Sequence, residues 1–163
     1  MRQDHEELIL RNPALGAAAF WNFAAQFGEY AKGAPPILPH FYIAMAILHH
    51  RASVDKLHRM FFDSGIVKAV ADQPHIIAGL QQRLESRAPA TLAALQLAIS
   101  SGLLLREGGP GFPSFRAIGV ALPPAIRNAE GDAARIYGAA RRLGAYFANE
   151  PISLLSKHLM IEF

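Results

Sequence analysis

The sequence predicts a mainly α-helical domain with a winged-helix-like module, three helices plus a short β-hairpin wing. Three stretches carry that expectation. Arg11 to Tyr30, RNPALGAAAFWNFAAQFGEY, holds the only tryptophan and is apolar on nearly every face, so its helix must be buried on most sides. A second apolar stretch, Pro39 to His50, follows it. Residues 90–120 then read as helix, glycine, strand, turn, strand. The order divides the chain into an N-terminal helical part (1–65), a winged-helix-like part (66–122) and a C-terminal helix with a docking tail (123–163), within one compact domain.

Gln3 to Leu10 suits a short acidic helix. Asn12 before Pro13 is an N-cap followed by the N1 proline that helices favour. Gly28, Gly33, Pro35, Pro36 and Pro39 make 31–39 a loop. Ser53 is a candidate N-cap for a third helix carrying Val54, Leu57, Met60 and Phe61, ended or kinked by Gly65. Pro74 and Pro89 divide the next stretch into helices over 66–73 and 75–88. The helix at 90–101 closes at Gly102, and LLLRE, GGPGFPS and FRAIGVAL supply strand, turn and strand, with Leu103 to Val120 as the wing. A helical pair closed by an unrelated hairpin is the alternative. Asp132 opens a last long helix, and the tail PISLLSKHLMIEF is apolar where chain ends are usually polar. Ile152, Leu155, Leu159 and Phe163 are therefore candidate docking residues, on a partner or on the chain's own core.

At 163 residues the chain can bury a sizeable core. Its charged fraction of 18% is below the average of about 25%, which points to buried contacts with another chain. The absence of cysteine excludes disulfides, zinc-finger thiolates and a thiol nucleophile, and fits a reducing cytoplasm. No secretory signal or bilayer-length apolar run is present, so a cytoplasmic protein without a membrane contact is expected.

His49, His50 and His58 lie close together in sequence, but the adjacent His49 and His50 point about 100° apart on a helix, so they do not present the i, i+4 pair that a metal needs, and His40, His49 and His50 lack carboxylates or cysteines at ligand spacing. Ser64, Ser100 and Ser101 precede glycines without a complete GxSxG and read as helix-end residues. Gly108, Gly109 and Gly111 match neither GxGxxG nor GxxxxGK[ST], and an extended segment follows them instead of a phosphate-binding helix. The acids form no dyad. The sequence predicts a non-enzyme with no cofactor and no metal.

Net charge is +3. Arg83, Arg87, Arg106 and Arg116 are candidates to gather near the recognition helix and wing, but the helix at 90–101 carries no basic residue, which argues against major-groove reading. Arg135, Arg141 and Arg142 form a better cationic stripe and are the candidate DNA-phosphate contacts, with a solvated helix face as the plainer alternative.

The segments RNPALGAAAFWNFAAQF, PPILPHFYIAMAILHH and RRLGAYFANEPISLLSKHLMIEF, in that order, resemble the middle component of three-component ABC systems, the group that includes Lamassu-type antiviral defence operons. The resemblance rests on an Asn-Pro helix start, an apolar segment ending in His50 and Arg51, and the Leu-Gly-x-aromatic-Phe helix at Leu143 to Phe147. The glycine- and proline-rich turn at 107–113 departs from it. It implies a non-catalytic adaptor between an SMC-like or RecN-like ABC ATPase and an effector, often a nuclease, with indirect or non-specific DNA contact. The alternative is a stand-alone winged-helix DNA-binding regulator.

Overall fold

A computed structural model describes residue 9 and residues 12–119 and 122–163. The expected helix over 3–10 lies outside these residues except for Ile9, which is buried. The described helices are α1 (Pro13–Tyr30), α2 (Leu38–Leu48), α3 (Arg51–Leu57), α4 (Gly65–Asp72), α5 (Leu80–Ser86), α6 (Ala88–Ser100), α7 (Pro124–Arg127), α8 (Asp132–Ala148) and α9 (Ile152–Leu159), with a 3-10 turn at Pro74–Ile76. Between α6 and α7 lie strands β1 (Leu104–Glu107) and β2 (Ser114–Ala117), paired antiparallel with Leu105 opposite Arg116.

Helix α1 starts as its sequence dictates, with the Asn12 side-chain oxygen accepting the Leu15 N–H at 3.2 Å and Pro13 in the first turn. It is apolar all round because α8, α6 and β2 all pack on it. Small residues set how close they come. Gly16 faces Ala94 of α6, and Gly144 of α8 lies so close to α1 that a Cβ there would sit 2.4 Å from the Phe23 carbonyl oxygen.

The core between these helices is aromatic. Phe41 of α2 meets Phe20 edge to face at 5.0 Å, Phe23 at 5.3 Å and Phe115 of β2 at 5.3 Å, while Phe23 also meets Phe147 of α8 at 5.6 Å. Such geometries suit the ring quadrupoles and add to simple area burial. One contiguous apolar cluster runs from Ile9 to Ile161, so the stretches 1–65, 66–122 and 123–163 share a single core.

Three local expectations change. The third helix begins at Arg51, not Ser53; Ser53 is fully buried one turn in, and its hydroxyl pairs with His50 Nδ1 at 2.7 Å. That helix ends at Leu57, which leaves Phe61 82% exposed rather than on an apolar helical face. The division expected at Pro89 is present: α5 ends at Ser86 and α6 begins at Ala88, with Pro89 in its first turn, where its missing N–H costs nothing. The helix expected over 75–88 is shortened to α5 by the left-handed Gly79.

The order of three helices and a hairpin is present, and its packing is particular. Helices α4 and α6 lean on α8 and α1 respectively, and the hairpin leans on α1. Two further bonds fix the hairpin: Trp21 Nε1 donates to the Ile118 carbonyl at 3.0 Å, and Phe115 N–H donates to the Pro36 carbonyl at 3.0 Å. Trp21 is thus a half-buried anchor for the hairpin, and Phe20 beside it is fully buried.

Candidate functional site

The end of α6 positions the site. Gly102 is left-handed (φ +81°), its N–H donates to Ile99 and the Leu103 N–H donates back to Ala98 at 2.8 Å, a Schellman closure that turns the chain directly into β1. Ser100 and Ser101 spend their hydroxyls on the Leu97 carbonyl, at 3.2 and 2.6 Å, as helix-end residues do.

Helix α6 has two contrasting stripes. Thr91, Ala94, Leu95 and Ala98 are buried against the core. The outer stripe, Leu92, Ala93, Gln96, Ile99 and Ser100, is exposed and carries no charge. Between this stripe and the hairpin runs a groove of about 580 Å³, lined also by Leu38, Pro113 and Phe115. Leu92 is 50% exposed there and Ile99 37%. Side-chain alternation along β1 places Arg106 on the groove face, opposite Phe115, and Leu105 on the other face opposite Arg116.

Arg106 is the single charged residue lining this groove, and its guanidinium has no ion-pair partner among the described residues. The neighbouring arginines do not join it. Arg116, on the far face, pairs with Glu107 at 2.6 Å and donates to the Gly33 carbonyl at 2.6 Å. Arg83 donates to the Ala46, Ala78 and Ile76 carbonyls and so ties α5 to the end of α2 and the 3-10 turn. Arg87 sits half-buried at the junction of α5 and α6.

The cationic stripe of α8 is engaged within the chain. Arg135 pairs with Asp132 and lies 3.8 Å from Asp55. Arg141 donates to Asn22 Oδ1 at 3.1 Å, and burial, then the neighbouring Arg142 charge, lowers its pKa. Arg142 donates to the Met60 carbonyl at 3.0 Å and stacks over the Phe62 ring at 4.4 Å. These contacts compete with any phosphate for the same donors.

The C-terminal candidates divide. Leu155 and Leu159 are fully buried in the chain's own core, Ile152 is half-buried and Phe163 is 61% exposed. A reciprocal amide pair between Gln81 and the Glu162 backbone, at 2.9 and 3.0 Å, holds the tail against α5. The tail's apolar spacing is visible in the sequence, which leaves its target open between a partner and the chain's own core; the structure places Leu155 and Leu159 in the core.

A second cleft, of about 590 Å³, lies between α3 and α4. Its charges are mutually satisfied in part: Lys56 and Lys68 both approach Asp72, at 3.8 and 3.2 Å. The histidines take structural positions. His49 Nδ1 pairs with the Met45 carbonyl at 2.9 Å, and the rings of His50 and His75 lie 5.4 Å apart. Among the described residues no group of three or more His, Asp or Glu side chains is placed to hold a metal, and no helix is long and apolar enough to cross a membrane.

Fold and groove together define a mainly α-helical protein with a β-hairpin, whose apolar groove opens at the surface instead of enclosing a chamber. The chain belongs to the ABC-three component (ABC-3C) system Middle Component 3 family, whose model matches residues 1–163, and is a middle component of an ABC-three component system. No curated protein and no solved structure gives a significant match to the chain.

Proposed function

We propose that this middle component is a non-catalytic adaptor that bridges an SMC-like ABC ATPase and an effector, often a nuclease, in a cytoplasmic antiviral complex of the Lamassu type. The family match over the whole chain is the observation that carries this reading, because a middle component works beside two other proteins. The charge-free outer stripe of α6 supports it, since an exposed helix face in a protein that acts alone usually carries charge. In this role the chain holds the effector on the ATPase until DNA engagement changes their geometry, and it touches DNA indirectly or without sequence preference.

Co-expression with the two genomically adjacent proteins, followed by pull-down and mass determination with and without DNA, tests the proposal. A stable ternary complex is expected. A homodimer that ignores both neighbours yet binds duplex DNA in a salt-dependent manner would replace the adaptor with a regulator.

A further inference from the structure

We infer that the groove between α6 and the hairpin is the docking site for an apolar segment of a partner protein that carries a carboxylate to meet Arg106. This rests on the adaptor reading and adds the surface and the chemistry of its ligand.

The argument begins with α6. From Ala88 to Ser101 the sequence has no charged residue, and its polar residues are Thr91, Gln96 and two serines. Only one side of the helix is covered by the chain itself. A helix apolar around its circumference is stable when it is covered on all sides, so the outer stripe awaits a cover. Leu92, Gln96 and Ile99 recur at i, i+4 and i+7 along about 11 Å of the exposed face, with the buried Leu95 lining the groove beside them, and this spacing suits the ridge of a second helix laid alongside. The other wall is the aromatic-anchored hairpin, held to the core by Phe115 and Trp21, so the groove is preformed and loses little entropy on binding.

Charge decides the class of occupant. No acidic residue lines the groove, and Arg106 is its one cation. A nucleic-acid backbone would find a single phosphate contact beside leucine and isoleucine, which is a poor electrostatic footprint. A protein segment with leucine-like anchors and one Asp or Glu satisfies both features, because burying Arg106 beside an unpaired apolar surface would otherwise be costly.

The experiment uses the full chain co-expressed with its two adjacent proteins. The variants are Leu92→Glu with Ile99→Glu, Arg106→Glu, and Arg106→Ala, with Leu105→Glu on the opposite face of the same strand as control. Capture of one neighbour should weaken at least about tenfold in the first two and be unchanged in the control, while capture of the other neighbour is retained. With Arg106→Ala the remaining binding should lose most of its salt dependence. Thermal melts confirm folding, and Arg106→Glu, at an exposed strand position, tests the idea even where the double variant unfolds. Wild-type chain that captures its neighbours with all groove variants equally effective overturns this inference alone. Groove variants that only turn a homodimer into a monomer overturn it in favour of a second copy. Wild-type chain that captures neither neighbour overturns the adaptor reading, and the inference falls with it.

Discussion

Replacing Gly144 by alanine should be among the most damaging single-methyl changes in this protein. Gly144 sits where α8 crosses α1, and its missing Cβ leaves room for the α1 backbone: a methyl would lie 2.4 Å from the Phe23 oxygen, 3.0 Å from the Phe27 nitrogen and 3.2 Å from the Gln26 Cβ. A comfortable carbon–oxygen contact is about 3.3 Å, so the helices must part locally by about 1 Å. The atoms in the way are backbone and cannot rotate aside. A gap of that size forfeits a quarter to a half of each dispersion contact across it, and the contacts concerned include Phe23 against Phe147. Overpacking ordinarily costs about 1–3 kcal/mol, and a clash with backbone belongs at the upper end or beyond, about 3–4 kcal/mol. For a chain of this size that lowers Tm by about 6–15 °C. The control is Gly28→Ala on α1, where nothing lies within 4 Å of the new methyl and φ is not left-handed, so helix propensity alone should stabilise by up to about 1 kcal/mol. Urea and thermal unfolding of both variants measure the difference. A Gly144→Ala protein within about 0.5 kcal/mol of wild type would refute the close-crossing argument.

Further outcomes follow from buried polar groups and one strained residue. His40 accepts the Ile37 N–H through Nδ1 at 3.0 Å and packs 4.8 Å from the Phe27 ring; burial lowers its pKa from 6.5 to about 4. The fold therefore accepts the neutral ring, so this contribution is complete above about pH 6.5 and is lost as pH falls towards 4, by about 3 kcal/mol; a stability–pH profile of His40→Gln should lack that segment. Asn22 donates to the Ala18 carbonyl at 2.9 Å and accepts from Arg141, so Asn22→Ala should cost about 1–3 kcal/mol, and a double-mutant cycle with Arg141→Ala should show coupling of about 1 kcal/mol in chemical denaturation. Met160 is left-handed (φ +57°) and 75% exposed, so Met160→Gly should raise stability by about 0.5 kcal/mol, read as a higher urea midpoint.

Much of the architecture was legible along the chain. Asn12 and Pro13 announce α1, Gly102 announces the end of α6, and the GGPGFPS turn separates the two strands, because caps and turns are local chemistry. Helix ends without such signals are not legible: nothing in RASVDKLHRMFF says that Leu57 is the last helical residue and that Phe61 faces out. The candidate site was half legible. The uncharged α6 was plain in the sequence, but it counted there only against DNA reading, since the chain did not say that one side of it stays open.

The sequence by itself determined a helical, cysteine-free chain with a core to bury, a hairpin after a glycine-closed helix and a family likeness spread over its length. Those follow from side-chain patterning and local backbone preference. The tertiary structure decided which charges are spent and which remain: Arg83, Arg116, Arg135, Arg141 and Arg142 are held by carbonyls, acids or an aromatic ring far away in sequence, and Arg106 is left facing an apolar groove. An arginine's partners are set by distances across the packed molecule, and one-dimensional spacing does not carry them.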